Sequence, residues 1–376
     1  MVYLDNSATT KPSQKAVDYI TDALVRNWGN PSSLHMLGFE AEMLMNKARD
    51  VVAKSISASS DEIIFTGSGT EANNTAIMTA HFKKSGGNKI ITTAVEHPSV
   101  LNTVKRLEND GFEIVRLGIG RDGKISLSEL ESKLDSKTVL VSIMLVNNEI
   151  GTIQPLDEAV KLIRRLAPRA LIHTDAVQAY GKIPINVKKT GVDLLSASGH
   201  KIHGPKGIGF LYCKKGVALA PFITGGGQEK GRRSGTEAVP SIAGLLGAVE
   251  DLPNIKTQYE KMCELRDWAV GMFKESGFIN INSPHDAIPY ILNISVPGYR
   301  SETLLHFLEN KEIYVSSGSA CAKGEQSYVL SALGLDRTHS DSALRISFSR
   351  YNKKEDITLL ISGLKEATQR LTRSKI

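Results

Sequence analysis

The sequence predicts an α/β protein: a mainly parallel seven-stranded sheet covered by helices, with a smaller α+β domain beside it. Three observations carry that expectation. Short apolar runs alternate with helix-period segments from residue 62 to about residue 212, the texture of strand–helix–strand units in a parallel sheet covered on both faces. At 376 residues the chain is too long for one small core. After about Asp251 the texture changes to long helix, strand, helix, strand.

Taken in order, two amphipathic stretches at 13–26 and 39–57 read as helices. The strand candidates follow at 62–66, 89–93, 113–117, 139–144, 171–174, 194–197 and 209–212, and helices are expected at 71–84, 98–109, 127–134 and 156–166. Pro98 suits the first turn of a helix, where its missing N–H costs nothing. In the tail, 256–276, 302–309 and 354–372 read as helices, and 290–295 and 343–349 as strands. The expected domains are therefore 13–251, and 1–12 with 252–376, the smaller one carrying a cysteine loop. The sequence contains no internal repeat and no low-complexity segment.

Composition narrows the function classes. Hydrophobic content of 41% and charged content of 23% are ordinary for a globular protein. The net charge is +6, but Lys and Arg are scattered, so a generally basic surface is expected rather than nucleic-acid binding. No apolar run is long enough to cross a bilayer, and the first ten residues carry an early acid and lack the sections of a signal peptide. Cys213, Cys263 and Cys321 lie far apart, which fits neither a disulfide framework nor a zinc cluster and points to a reducing, cytoplasmic compartment.

Chemistry concentrates where apolar runs end. Asp175 closes one such run in H173-T-D-A-V-Q178. A carboxylate there is costly to bury unless it meets a cation, such as a protonated pyridine nitrogen; the plainer alternative is a cap on the next helix. Gln178 can turn back to the same ligand. The next run leads into S198-G-H-K201, and a lysine beside a strand end with an acid from a nearby strand suits a Schiff-base cofactor, pyridoxal 5'-phosphate (PLP). In 62–74, Gly67-x-Gly69-x-x-Ala72 formally matches a dinucleotide fingerprint with Glu96 as the ribose acid. Glycines before a helix serve any phosphate, however, and Thr70 adds a hydroxyl suited to a monophosphate. His97, just before Pro98, reads as a helix cap or as an imidazole stacked on a cofactor ring. The cluster at 146–152 reads as a site rim or a plain loop, and the glycine-rich basic stretch 225–236 as an anion-binding or surface loop. Cys321, among small residues and followed by Lys323, reads as an exposed nucleophile or a passive small hydrophobe. His200 and His203 lack a carboxylate or thiolate at ligand spacing, so no metal is expected.

Taken together, D5-N-S-A-T-T10, G29-N-P-S-S33, T66-G-S-G-T-E-A-N-N74, Glu96-His97, V146-N-N-E-I-G151, H173-T-D-A-V-Q178, S198-G-H-K201, R233-S-G-T236 and S316-S-G-S-A-C321 resemble the cysteine desulfurases of the NifS/IscS type. The resemblance runs in order over nearly the whole chain. It implies the PLP-dependent transferase (aspartate aminotransferase-like) fold and a homodimer that takes sulfur from L-cysteine, leaving L-alanine and a persulfide on Cys321. It implies that Lys201 carries the cofactor, Asp175 holds its ring N–H, His97 stacks on the ring and moves protons, and Asn148 and Gln178 contact the ring-hydroxyl side. Gly69, Thr70, Ser198 and His200 would bind the phosphate, and Thr236 the phosphate of the neighbouring subunit. Arg345 would clasp the substrate carboxylate, with Asn30 at the same end. A protein acceptor, an iron–sulfur scaffold or a tRNA thiolation protein, would take the sulfur; neither a membrane nor direct nucleic-acid binding is expected. A selenocysteine lyase or another PLP lyase of the same fold is the alternative, and a dinucleotide oxidoreductase or a module that only binds partners is more distant. The segment after Cys321 is shorter than in the IscS proteins and the chain ends at Ile376 without their longer tail, departures that bear on the acceptor and not on the chemistry.

Overall fold

In the computed structural model, which describes residues 1–317 and 326–373, the chain opens with β1 (Val2–Tyr3), α1 (Gln14–Val25) and α2 (Met36–Ser55). Ser13 starts α1 by accepting the N–H of Ala16. The alternating block follows: β2 (Ile63–Thr66), α3 (Gly69–Met78), β3 (Lys89–Thr93), α4 (Pro98–Asn109), β4 (Glu113–Leu117), α5 (Leu127–Lys133), β5 (Thr138–Ser142), α6 (Leu156–Leu166), β6 (Leu171–Asp175), α7 (Val187–Thr190), β7 (Leu194–Ser198) and β8 (Gly209–Cys213). Helix α8 (Val239–Glu250) precedes the tail. There come α9 (Ile255–Ser276), β9 (Asn280–Ile281), β10 (Ile291–Ser295), α10 (Ser301–Glu309), β11 (Ile313–Tyr314), β12 (Ser316–Ser317), α11 (Tyr328–Ala332), α12 (Arg337–Asp341), β13 (Ala343–Ser347) and α13 (Lys354–Arg370).

Seven strands form one sheet in the order β2-β8-β7-β6-β5-β3-β4, parallel except where β8 runs antiparallel to both its neighbours. Strands β5 to β8 are buried at every residue, which is why they read as unbroken apolar runs. The pleat divides their side chains between two cores. Ile90, Leu140, Leu194 and Leu211 join one apolar cluster, while Ile91, Val141, Leu195 and Phe210 join the other.

The sequence expectation of a mainly parallel seven-stranded sheet is met, with several differences; among them, β5 stops at Ser142, two residues before its expected end. The reversal of β8 follows from the 199–208 connection, which is too short for the crossover that a parallel neighbour requires. Strands β6 and β7 each run one residue beyond the expected end, so Asp175 and Ser198 are the last residues of their strands. The helix expected over 71–84 stops at Met78 and tightens into a 3₁₀ segment, Thr79–Gly86.

A second, antiparallel sheet has the order β12-β13-β10-β9, and β1 pairs in parallel with β11. Asp5 bridges to Ser347, and the Ser347 N–H donates to the Leu4 carbonyl at 2.7 Å. The first residues of the chain are thereby stitched to the last strand. Among the described residues no helix is long and apolar enough to cross a membrane.

Helix α8 is buried along most of its length and crosses α1 closely. A Cβ on Gly247 would lie 2.4 Å from Tyr19 Cδ2 and 2.7 Å from the Lys15 carbonyl oxygen. Helix propensity alone favours alanine over glycine inside a helix by about 1 kcal/mol. Backbone on the facing helix cannot yield as a side-chain tip can, so the steric term wins. Gly247→Ala is expected to destabilise the protein by about 2 kcal/mol, seen as a lower midpoint of urea unfolding; an unchanged or raised midpoint contradicts the close crossing.

Candidate active site

The C-terminal ends of β6 and β7 and the N-terminus of α3 open onto one cavity of about 460 Å³. That edge is where ligands gather in open α/β sheets. Lys201, Asp175, Gln178, His97, Asn148 and Arg345 all line it. Lys201 stands in a single 3₁₀ turn, Gly199–Lys201, directly after β7. Its Nζ donates to the Ala8 carbonyl at 2.8 Å and to the Ser7 carbonyl, so the N-terminal segment holds the lysine.

Asp175 is buried and both its oxygens accept from neutral donors. Oδ1 accepts from the Val177 N–H at 2.9 Å, and Oδ2 from Asn73 Nδ2 at 2.7 Å. The capping alternative is therefore satisfied by one oxygen while the residue still faces the cavity. Asn73 also donates to Ser99 Oγ (2.9 Å), which lies 2.8 Å from His97 Nδ1. The Ser99 N–H donates to the same nitrogen at 3.1 Å, so Nδ1 is an acceptor and the neutral ring carries its proton on Nε2. Burial holds the His97 pKa below its ordinary value; the Asp175 carboxylate opposes that and the Lys201 charge adds to it. His97 thus caps α4 and lines the cavity together, satisfying both readings of it.

Helix α3 starts at Gly69 and is capped by Ser68, whose Oγ accepts the Glu71 N–H at 3.1 Å. A Cβ on Gly69 would meet Val177 Cγ2 at 2.8 Å, so only glycine lets the helix start approach the residues after β6 this closely. Thr70, Ser198 and His200 line the same cavity. Burial, then the charge of Lys201, pushes the His200 pKa down to about 4, which leaves a neutral imidazole at neutral pH, with Nδ1 3.2 Å from Thr9 Oγ1.

Arg345, buried in β13, gives Nη2 to Asp5 Oδ1 at 2.9 Å and Nη1 to the Asn148 carbonyl at 3.0 Å. Glu149 is buried beside it, accepts from Ser327 Oγ, and has its pKa raised by burial to about 7. Gln178 donates from Nε2 to the Ser7 carbonyl at 2.9 Å. On four cavity-lining residues, the buried atoms Ser7 Oγ, Asn73 Oδ1, Asn148 Oδ1 and Arg345 Nε have no hydrogen-bond partner among the described residues. Buried polar atoms without partners cost free energy unless a ligand meets them. Together with the lysine, the acid and the helix start, this set fits the PLP expected from the sequence.

Some expected residues are not brought here. Asn30 is exposed, its Oδ1 accepting the Ser32 N–H, and Thr236 is exposed as well; neither lines the cavity. Cys321 lies outside the described residues, within 318–325. Glu96, the ribose acid of the dinucleotide alternative, is fully buried, and one of its oxygens accepts from Thr93 Oγ1 and the Met144 N–H. It lies outside the cavity lining, so that alternative loses its acid. Asn73 and Asp5 enter the sequence reading only as members of motifs, because their partners Asp175 and Arg345 are remote in the chain, and Ser99 does not enter it.

The chain matches the aminotransferase class-V family over residues 2–360. It is 41% identical over 384 aligned residues to a putative cysteine desulfurase IscS 1 of Bacillus subtilis, covering 99% of each chain. It is 42% identical to a cysteine desulfurase of Trichormus azollae, covering 99% of this chain and 94% of that one. Among solved structures it matches a NifS-like protein with a TM-score of 0.93 at 38% identity, covering 98% of this chain and 100% of the other.

The buried Glu96 yields a pH test. Burial raises its pKa from the ordinary 4.5 to about 8 in the folded protein. A raised pKa means stability that is complete below the unfolded value and is lost as pH rises through the folded one. Glu96→Gln removes that dependence. Between about pH 5 and about pH 8 the stability difference should move in favour of the variant by about 1 kcal/mol or more, and a difference that stays constant across parallel urea unfolding curves refutes it.

Proposed function

The chain belongs to the aminotransferase class-V family and is of the cysteine desulfurase type, and on that premise we propose how its residues divide the work of taking sulfur from L-cysteine. The products are L-alanine and a persulfide on Cys321, and the cofactor is PLP. One observation carries the reading: Lys201 and Asp175 stand at the ends of neighbouring strands in a single cavity.

Bound there, PLP supplies a sink for the electron pair released at the α-carbon of the amino acid. Lys201 would hold the cofactor covalently, and its amine, when free, would move the α-proton. Asp175, buried with neutral donors only, gains a cationic partner in a protonated ring nitrogen. Gly69, Thr70, Ser198 and His200 hold the phosphate, with the N-terminus of α3 contributing its dipole. Asn148 and Gln178 meet the ring-hydroxyl side. His97 would lie against the ring, and with Nδ1 committed to Ser99, Nε2 is the nitrogen left to exchange protons. Arg345, oriented by Asp5, takes the substrate carboxylate. The Cys321 thiolate attacks the substrate sulfur; the carbon–sulfur bonding pair passes to carbon, which is then protonated, and Cys321 keeps the sulfur. A thiol on an acceptor protein, an iron–sulfur scaffold or a tRNA thiolation protein, removes it by exchange.

Asn30 and Thr236 fit this scheme as residues lent to a neighbouring subunit. In support, Trp28, Leu34, Met36, Phe39 and Met43, flanking Asn30, are each more than half exposed, an apolar patch of the kind that marks an interface in a homodimer. The chain then divides into 13–251, which holds the cofactor, and 1–12 with 252–376, which brings Arg345 and Cys321. Unpaired Cys213 and Cys263 suit a reducing, cytoplasmic setting.

Mass spectrometry of the protein after exposure to L-cysteine should find added sulfur on Cys321. Cys321→Ser should bind PLP yet form no persulfide, and Lys201→Ala should lose the visible absorbance of the bound cofactor. Normal sulfur transfer by Cys321→Ser overturns the mechanism, and turnover of selenocysteine with none of cysteine moves the assignment to a selenocysteine lyase.

A further inference from the structure

Behind Gln178 lies a second lysine, this one buried. Lys182, four residues on, is only 7% exposed and takes part in none of the described ion pairs. Its Nζ donates to Gln178 Oε1 at 2.8 Å and stands 5.8 Å from the centre of the Tyr290 ring. It shares a small cavity of about 30 Å³ with Lys201, Tyr290 and Arg350. An ammonium that exchanges water for one amide oxygen and a ring face costs free energy, and an apolar side chain of the same length would fill the space without that cost. The position is therefore expensive as structure alone.

The hydrogen bonds indicate what the charge does. A protonated lysine only donates, so the Gln178 oxygen is committed to Lys182 and its NH2 points the other way, to the Ser7 carbonyl that also receives Lys201. We propose that Lys182 is a positioning residue of the cofactor site: it holds the Gln178 amide with its NH2 toward the ring hydroxyl of the cofactor and places an unpaired positive charge behind it. This rests on the PLP reading of the cavity. The charged and titratable groups around Lys182 are Lys201 and His200 after β7, His203 beyond them, Arg345 on β13, Arg350 after it, and Tyr290 before β10. Burial first, then the charges of Lys201 and Arg345, brings the Lys182 pKa down to about 7. An anionic ring oxygen nearby opposes that fall, so the two groups favour each other's charged forms.

The test titrates the visible absorbance of the PLP-loaded protein against pH. Losing the donor geometry and the cation together disfavours the ionised ring oxygen, so Lys182→Met should raise the midpoint by about one pH unit. It should also weaken PLP binding by about tenfold. Lys182→Arg, which keeps a cation, should recover at least half of the shift. A Lys182→Met protein that binds PLP with the midpoint moved by less than about 0.3 units overturns the proposal. If that variant fails to fold, ¹⁵N-lysine NMR of the wild-type protein decides. A Lys182 Nζ that titrates near 7 without PLP and moves upward when PLP is added supports the role; one that titrates at the ordinary lysine value and ignores PLP removes it. A wild-type protein with no Lys201-dependent band defeats the PLP reading itself, and this proposal with it.

Discussion

The site depends on one constraint: a carboxylate, Asp175, buried at the end of a parallel strand with neutral hydrogen-bond donors as its partners. Taking such a group out of water is costly, and the fold meets the cost through geometry. Helix α3 must start close enough for Asn73 to reach across, which requires glycine at position 69, and the chain must turn sharply enough after β6 for the Val177 N–H to fold back. The same asparagine then fixes Ser99, and Ser99 fixes the tautomer of His97. One desolvated charge thus sets the helix start, the hydrogen-bond chain and the protonation of the imidazole facing the cavity.

The N-terminal segment is the second organising element. Carbonyls of Ser7 and Ala8 hold Lys201, Ser7 also receives Gln178, Thr9 meets His200, and Asp5 holds Arg345. A stretch without regular structure along most of its length therefore touches the groups from β6, β7 and β13 that must act together. Its backbone does most of this, which is why its side chains alone say little about its role.

What could be read from the sequence follows from what each signal depends on. Strands β3 and β4 and helices α4 and α6 fall where the apolar pattern places them, because burial on one or both faces dictates that pattern locally. Asp175 and Lys201 stood out because a charge ending an apolar run has few bland explanations. The Asp5–Arg345 pair and the Asn73–Asp175 bond join residues 340 and 102 positions apart, and no local spacing encodes them. Lys182 is likewise an ordinary lysine in sequence, marked out by burial with no carboxylate bonded to it among the described residues. The reversal of β8 was latent in the short connection before it, a length signal rather than a residue signal.

The stitching of β1 to β11 and of Asp5 to Ser347 has a consequence for how the molecule comes into being. Residues 2–5 find these partners only once residues 313–347 have been synthesised. Until then the segment that clamps Lys201 is held from its far side, where Thr9 and Thr10 bond to His200, and the sheet presents a pocket without its Arg345 wall. Closing a loop of that length is also among the slower events available to a folding chain. The pocket is thereby completed only after Arg345 and Ser347 have emerged, and a nascent chain that stops short of them lacks one wall of it.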